Sequence, residues 1–210
     1  MELKIEQIAK GTRIISGSEA KERRVLLNQM IDLVELDGYN EIILPSVEKS
    51  EIYTDKAGRE ILGQMYTFPD KGGRSLCLRP EGTATIQLLA DKYYPTQKDV
   101  KLWYFERCWR YERPQAGRYR EFFQFGCEWI NPSDLEKAKQ EQIELSKKLV
   151  GLKTTEFELN DSAKRGLNYY TADGFEIAVP ALGAQKQVMG GGQYKQGIGF
   201  AIGFDRLMLC

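Results

Sequence analysis

The sequence predicts an α+β fold, an antiparallel sheet flanked by helices, from three observations. Residues 105–128 alternate apolar or aromatic residues with polar ones on both sides of a break at Pro114 and Gly117, which is typical of two strands joined by a long loop. Residues 16–38 and 131–151 instead carry apolar residues at helical spacing. Short β-branched or small-residue segments in the C-terminal part predict further strands.

Length and composition indicate one globular domain over residues 1–210. The 210 residues are 42% hydrophobic and 29% charged, and 30 basic and 30 acidic side chains give a formal net charge of zero. This length suffices for one sizeable core and is marginal for two. The balanced charge gives no bulk sign of nucleic-acid binding. No apolar run reaches the roughly 18 residues of a membrane span, and the first residues lack a signal-peptide core, so we expect a cytoplasmic protein without a membrane partner.

The chain contains no histidine, which excludes every mechanism that needs an imidazole of the protein. Its four cysteines, Cys77, Cys108, Cys127 and Cys210, form no Cys-x-x-Cys pair. A zinc site would need four scattered thiolates, so we expect structural thiols and no metal site made by the protein alone. Any catalysis must therefore use arginines, carboxylates, backbone groups or a bound metal to stabilise a developing charge.

The N-terminal quarter predicts an arm, a helix and a strand. Residues 1–15 are polar and would form a leading strand or arm. Ser16 and Glu19 have the spacing of a capping box, which would start a helix that ends before Gly38. The apolar stripe of this helix is Leu26, Leu27, Met30, Ile31 and Val34. Residues 41–44 follow as a short strand ended by a proline.

Residues 46–76 are punctuated by glycine and predict loops with a small hairpin near 65–68. A strand then turns into a helix over 84–93. Glu81 and Thr83 stand at the start of this helix, where a carboxylate and a hydroxyl ordinarily cap backbone N–H groups. On the residues alone, these two side chains are helix caps.

The hairpin at 105–128 has two chemically different faces. Side chains alternate between faces along a strand, so Arg110 shares a face with Glu112. On the second strand, one face carries Phe122, Gln124, Gly126 and Glu128, and the other carries Phe123, Phe125, Cys127 and Trp129. The second set fits a core. The first face combines a cation, carboxylates, an amide and an aromatic ring, which suits a nucleotide phosphate, an adenine and a small zwitterion. The alternative is a solvated basic hairpin.

Residues 131–151 predict a charged amphipathic helix closed by Gly151. Its expected buried stripe is Leu135, Ala138, Leu145 and Leu149. Residues 154–159 and 175–179 predict strands because they are rich in β-branched and aromatic residues.

Two glycine-rich segments end the chain. The three glycines at 190–192 predict a loop in which backbone can approach a ligand closely. Residues 197–203 predict a small-residue strand that leads into a helix presenting Arg206, and such junctions suit phosphate binding.

Five segments resemble class II aminoacyl-tRNA synthetases, and specifically the histidyl-tRNA synthetases. Residues 110–128 are similar to motif 2 of that class, and residues 197–206 are similar to motif 3. Residues 79–83 (Arg-Pro-Glu-Gly-Thr), 165–170 (Arg-Gly-Leu-Asn-Tyr-Tyr) and 190–194 (Gly-Gly-Gly-Gln-Tyr) resemble three further segments of the histidyl family. The resemblance covers nearly the whole chain, in the family's order.

The chain also departs from the family pattern. Asn168, Gln193 and Lys195 replace an Asp, an Arg and an Asp, which bears on the amino acid that is selected. The residues between Glu128 and Arg165 suffice for a helix and a strand but not for the family's insertion domain, and nothing after motif 3 corresponds to its anticodon-binding domain. The resemblance therefore implies a single catalytic domain.

The activity that the resemblance implies is activation of an amino acid, with histidine favoured, to the aminoacyl-adenylate. ATP and Mg²⁺ would be required, and tRNA would be the acceptor. The helix and strand over 16–45 resemble motif 1 loosely. Because motif 1 builds the dimer interface in class II synthetases, the resemblance implies a homodimer.

The resemblance assigns each site residue a role. The cations assigned to phosphates are Arg110, Arg118, Arg165 and Arg206. The residues assigned to adenine are Glu112 and Phe122. Those assigned to the α-amino group are Glu81, Thr83 and Gln124. The residues assigned to the side chain of the amino-acid substrate are Glu128, Tyr169, Tyr170 and Tyr194. Arg110 and Arg165 would meet the α-phosphate, and Arg118 and Arg206 would meet the β- and γ-phosphates with Mg²⁺. Arg110, Arg165 and Arg206 are the expected catalytic residues.

Two other functions fit the same resemblance. A regulatory subunit of ATP phosphoribosyltransferase keeps this fold to sense histidine, but such paralogues usually lose the ATP-binding arginines that this chain retains. A ligase that loads a carrier protein or another acceptor would not need a tRNA-reading domain.

Overall fold

The computed structural model describes residues 8–54, 59–164 and 166–210. Ten strands form two sheets. The strands of the larger sheet are β1 (Asn40–Glu41), β5 (Val100–Trp109), β6 (Glu121–Ile130), β7 (Glu158–Ala163), β8 (Gly174–Ala178), β9 (Gln187–Tyr194) and β10 (Gly197–Gly203). The smaller sheet contains β2 (Val47–Lys49), β3 (Thr67–Pro69) and β4 (Ser75–Leu78). The helices are α1 (Gly17–Leu36), α2 (Glu51–Thr54), α3 (Arg59–Gln64), α4 (Thr83–Tyr93), α5 (Leu135–Gly151) and α6 (Phe204–Leu207), with a 3-10 turn at Pro180–Gln185.

The larger sheet has the order β1-β5-β6-β10-β9-β8-β7. All of its neighbouring strands pair antiparallel except β1, which pairs parallel with β5. The smaller sheet has the order β2-β4-β3 and is antiparallel. The predicted antiparallel sheet flanked by helices is confirmed. None of the described helices combines the length and the apolar character needed to cross a membrane.

The two faces of the larger sheet differ as the hairpin pattern predicts. Phe125, Cys127 and Trp129 of β6 pack with α1 and α5 in the main core. On the opposite face, α4 packs over Leu102 and Tyr104 of β5. The same face carries Gln124, Gly126 and Glu128 of β6, beside the start of α4. The sheet therefore has one mainly apolar face and one face that carries buried polar side chains beside α4.

Both long helices end near the predicted positions, but two details were wrong. Ser16 occupies the N-cap of α1 without a side-chain cap bond, and Glu19 instead pairs with Arg13 at 3.1 Å. Leu135, expected in the buried stripe of α5, is exposed because it begins the helix next to the N-cap Asp134. The rest of that stripe is buried.

The irregular regions depart more from expectation. The hairpin near 65–68 is present as β3 and β4, but α2 and α3 were missed because helices of four and six residues carry no full apolar period. Strand β1 has only two residues, and β7 begins at Glu158 rather than at 154. Residues 8–15 form no strand, and 1–7 lie outside the described residues.

The three glycines at 190–192 lie inside β9 and not in a loop. A Cβ on Gly191 would come within 2.6 Å of the Gly199 carbonyl oxygen, and one on Gly192 within 2.8 Å of the Tyr170 ring. Glycine is therefore needed here for close packing of strands and rings rather than for a turn.

Candidate functional site

A cavity of about 540 Å³ opens on the polar face of the larger sheet. Its base is formed by β6, β9 and β10 through Gln124, Gly190 and Ala201. The loop between β5 and β6, the start of α4, residues 166–170 and the turn before β9 form its walls. The charged residues of these walls are Glu81, Arg110, Glu112, Arg118, Lys186, Asp205 and Arg206.

One end of the cavity is acidic and centred on Glu81 at the N-terminus of α4. The Glu81 carboxylate accepts hydrogen bonds from the backbone N–H of Thr83 at 2.8 Å and of Ala84 at 3.0 Å. It also accepts one from the Tyr169 hydroxyl at 3.3 Å. Burial raises the pKa of Glu81, although these bonds and Arg110 oppose the shift. Glu81 is thus both the helix cap and a wall of the cavity.

Glu128 and Tyr194 lie in a layer beneath this acidic end. The Glu128 carboxylate accepts hydrogen bonds from Thr83 Oγ1 at 2.7 Å and from the Tyr194 hydroxyl at 2.9 Å. Neither Glu128 nor Tyr194 is part of the cavity wall. Burial raises the pKa of Glu128 to about 8, so its protonated form is favoured at neutral pH while the cavity holds no cation.

The other end of the cavity is cationic and centred on Arg206 in α6. Arg206 donates from Nε to the Gly117 carbonyl at 2.9 Å and from Nη1 to the Gln187 carbonyl at 2.7 Å. Burial lowers the pKa of Arg206, and the neighbouring positive charges of Arg110 and Arg118 lower it further. The Arg118 guanidinium forms an ion pair with Glu112. Two arginines of the loop between β5 and β6, Arg110 and Arg118, therefore lie near Arg206, which is almost ninety residues further along the chain.

Arg110 lies between the two ends. Its Nε donates to the Pro80 carbonyl at 2.9 Å, beside Glu81, and its guanidinium lies 5.2 Å from the centre of the Phe122 ring. Its charge opposes the rise in the pKa of Glu81 and contributes to the fall in that of Arg206. A ligand with one cationic end and one polyanionic end would span the cavity, and the middle of the ligand would lie beside Arg110.

Two groups that hold the site in place were missed by the sequence analysis. The buried Tyr104 ring fills the space between Gly82 and Gly126, where any Cβ would collide with it, and so sets the start of α4 against β6. Asp205 accepts a hydrogen bond from the backbone N–H of Phe123 at 2.7 Å. It also accepts hydrogen bonds from Arg13, which precedes α1, at 2.8 Å and from Arg23 of α1 at 2.9 Å. The only sequence signal for these groups was their position beside segments already assigned.

The structure brings ten of the assigned residues to the cavity wall. They are Glu81, Thr83, Arg110, Glu112, Arg118, Phe122, Gln124, Tyr169, Tyr170 and Arg206. Glu128 and Tyr194 lie behind the wall, and Arg165 lies outside the described residues. Their individual roles stay predictions.

No group of three or more cysteine, aspartate or glutamate side chains that could hold a metal ion occurs within residues 8–54, 59–164 and 166–210. The wall carboxylates are already bonded to other groups: Glu81 to backbone N–H, Glu112 to Arg118 and Asp205 to arginines.

Comparison with known proteins identifies related sequences. The sequence profile of the family described as histidyl-tRNA synthetase matches residues 11–163. The histidine–tRNA ligase of Methanosarcina acetivorans is 32% identical over a match that covers 95% of this chain and 74% of that protein. The enzyme of the same name from Archaeoglobus fulgidus is 30% identical, with 98% of this chain and 76% of that protein covered.

Solved structures of related proteins share the fold. Apo histidyl-tRNA synthetase from S. aureus superposes with a TM-score of 0.79 at 26% identity, covering 97% of this chain and 69% of that one. A protein described as an ATP phosphoribosyltransferase regulatory subunit/histidyl-tRNA synthetase from Bacillus halodurans gives a TM-score of 0.81 at 17% identity, covering 100% of this chain and 84% of that one. This second likeness shows the fold alone.

Proposed function

We propose that this chain, which belongs to the histidyl-tRNA synthetase family, activates an amino acid with ATP to form an aminoacyl-adenylate, with histidine as the favoured substrate. The observation that carries the proposal is the polarity of the cavity. A buried carboxylate lies at one end, Arg118 and Arg206 lie at the other, and Arg110 lies between them. This arrangement matches an amino acid bound in line with a triphosphate.

The proposed step needs no proton transfer. An oxygen of the amino-acid carboxylate bonds to the α-phosphorus, the bond from that phosphorus to the bridging oxygen breaks, and pyrophosphate leaves with the electron pair. A carboxylate is already a nucleophile at neutral pH, so the protein must supply alignment and charge neutralisation. A chain without histidine can provide both.

The acidic end would hold the amino acid. The α-ammonium group would bind the Glu81 carboxylate beside Thr83 and the Tyr169 hydroxyl, which already meet there. Glu128 supports Thr83 from beneath. A cationic or hydrogen-bonding side chain that reaches this layer would lower the pKa of Glu128 and favour its charged form.

The cationic end would hold the nucleotide. Arg110 would contact both the amino-acid carboxylate and the α-phosphate, and Phe122 would stack on adenine. Glu112 and Arg118 now pair with each other, so ATP must separate them, with Glu112 turning to adenine and Arg118 to the phosphates. Mg²⁺ would bind the β- and γ-phosphates and neutralise their charge.

ATP–pyrophosphate exchange across the amino acids tests the proposal. We expect exchange with histidine and little with the other amino acids. The absence of exchange with every amino acid, under conditions where the chain is folded, would contradict it. Transfer to tRNA or to another acceptor is a separate proposal, and assays with radiolabelled histidine and tRNA distinguish the two acceptors.

A second candidate is a histidine sensor without catalytic activity. The name of the Bacillus halodurans protein, which shares this fold, includes such a regulatory subunit as well as a synthetase, and this motivates the candidate. It predicts histidine binding without ATP binding, whereas the three arginines on one cavity wall favour the enzyme. Calorimetric titration with histidine and with ATP separates the two functions.

We also propose that the chain forms a homodimer through α1 and β1. Val25, Leu36 and Ile43 expose 48%, 83% and 78% of their surfaces along this region. Large exposed apolar side chains on one helix and on the segment after β1 favour an interface there. Light scattering with the mass of one chain would contradict the proposal.

A further inference from the structure

The cationic end of the cavity includes a lysine that neither the resemblance nor the comparisons assign. Lys186 lines the cavity together with Gly117, Arg118 and Arg206. The three carboxylates of the described wall are engaged elsewhere, in bonds to backbone N–H groups or to arginines. The positive charge of Lys186 is therefore not neutralised by any of these wall carboxylates.

The backbone of Lys186 is fixed on both sides. Its N–H donates to the Gly183 carbonyl at 3.2 Å, and its carbonyl accepts from the Val179 N–H at 2.7 Å. Gly183 has φ +60°, the left-handed conformation that glycine adopts readily and that this turn requires. The next residue is Gln187, whose carbonyl accepts the bond from Arg206 Nη1. The side chain of Lys186 therefore extends from the backbone position next to Gln187, the residue that binds Arg206.

We propose that Lys186 binds the β- and γ-phosphates of ATP and the pyrophosphate formed from them. This inference rests on the proposed function. Arg206 already uses Nε and Nη1 to hold two carbonyls, and Arg118 must leave Glu112 before it can bind phosphate. A triphosphate that enters this end needs additional positive charge. A lysine supplies a mobile point charge on a long stem that can follow the phosphates as they depart.

The chain offers a matched control on the opposite face of the larger sheet. Lys148 lies in α5, which packs against the apolar face, and it is an exposed lysine like Lys186. Lys148 is not part of the cavity wall. Lys148→Ala therefore removes the same charge without touching the cavity.

The experiment measures binding to the 210-residue chain by calorimetry, with ATP, inorganic pyrophosphate, AMP and histidine as the probes. Lys186→Ala should weaken ATP and pyrophosphate binding about three- to fivefold, as expected for one partly solvated charge pair. Binding of AMP, which lacks the β- and γ-phosphates, and of histidine should not change. Lys186→Arg should restore ATP binding, and Lys148→Ala should behave as the unaltered chain.

In exchange kinetics, Lys186→Ala should raise the KM for ATP by the same factor and leave the KM for histidine unchanged. The difference from the unaltered chain should shrink as salt is added, because salt screens an exposed charge. Thermal melting of the variant should match that of the unaltered chain, which separates lost binding from lost folding.

The outcomes are distinct. If the unaltered chain binds neither ATP nor pyrophosphate, the proposed function fails and the assignment of Lys186 fails with it. If the unaltered chain binds both and Lys186→Ala binds them equally well, only the assignment of Lys186 is overturned. An equal loss in Lys148→Ala, or an equal loss for AMP, also overturns it, because the effect would then not be specific to Lys186 and the terminal phosphates.

Discussion

The two ends of the cavity are built differently. The acidic end rests on regular elements, since Glu81 caps α4, Thr83 begins that helix and Glu128 lies within β6. The cationic end rests on the loop between β5 and β6, on the turn before β9 and on the four-residue helix α6. Its Arg118 side chain is 33% exposed, whereas Glu81 is 3% exposed.

This difference indicates which end of the cavity is preformed and which end must rearrange when ligands bind. The acidic end already has its hydrogen bonds within folded elements, so an amino acid can bind with little reorganisation. The cationic end holds an internal ion pair between Glu112 and Arg118 that ATP must replace. Changes at the acidic end should therefore affect stability and amino-acid binding, and changes at the cationic end should affect the nucleotide alone.

The largest predicted effect concerns the stability of the acidic end. Glu128 has a pKa of about 8 in the folded state against 4.5 for an ordinary glutamate. The folded chain therefore retains a proton that the unfolded chain releases, so this group's contribution to stability is present below pH 4.5 and is lost as pH rises towards 8. The loss is on the order of 5 kcal/mol. Glu128→Gln should not show it.

Urea unfolding of both proteins between pH 5 and 9 measures this difference. The free energy of unfolding of the unaltered chain should fall relative to that of Glu128→Gln as pH rises. Glu141→Gln changes a carboxylate of α5 that is 42% exposed, and this variant should follow the pH profile of the unaltered chain. Parallel pH profiles for the unaltered chain and Glu128→Gln would show that the carboxylate is not held protonated.

The next effect concerns Arg110, which lies between the two ends. Arg110→Ala should lower the exchange rate by about 3–4 kcal/mol of transition-state stabilisation, roughly 10²- to 10³-fold. Arg113→Ala removes an exposed arginine from the same loop, outside the cavity wall, and should leave exchange without tRNA unchanged.

The same loss is predicted for Arg165→Ala, although Arg165 lies outside the described residues. Exchange that persists at the unaltered rate in Arg165→Ala would remove this residue from the mechanism. Equal rates in Arg110→Ala and Arg113→Ala would remove Arg110 as well.

Glu81→Gln tests whether the acidic end binds the α-amino group of the amino acid. Removing the charge should raise the KM for histidine about 10- to 100-fold, since a hydrogen bond to a charged group contributes roughly 1.5–3 kcal/mol. The dissociation constant for ATP should stay the same. Circular dichroism checks that the cap of α4 survives. A KM for histidine that does not change would place the amino group elsewhere.

The smallest predicted effect is on ATP binding, from the removal of one charge at the cationic end. Arg118→Ala should weaken ATP about fivefold, because the side chain is partly exposed and its charge is screened. Histidine binding and thermal stability should not change. A loss of histidine binding comparable to the loss for ATP would mean that the two ends do not act separately.

The sequence predicted the framework of the site well for physical reasons. The alternation along 121–130 placed Phe125 and Cys127 in the core and Gln124 on the cavity wall, because strand periodicity determines the face of each side chain. The family resemblance is confirmed by the profile match and by relatives at 30% identity or above. The division into a single domain stays a prediction.

What the sequence did not predict depends on tertiary contacts. The pairing of Glu112 with Arg118 depends on the conformation of the loop between β5 and β6. The position of Glu128 behind Thr83 depends on the packing of α4 against β6. The glycines at 190–192 predicted a loop by composition, although their packing against the Tyr170 ring and Gly199 places them in β9. Lys186 follows an irregular turn and had no pattern that pointed to it.

The central claim is that one cavity binds the amino group at Glu81 and the phosphates at the arginines. A crystal structure of the chain with a non-hydrolysable histidyl-adenylate analogue tests it most directly. We predict the α-amino nitrogen within hydrogen-bonding distance of the Glu81 carboxylate and the phosphoryl oxygen beside the Arg110 guanidinium. An analogue bound in the reverse direction, or bound outside this cavity, would contradict the account.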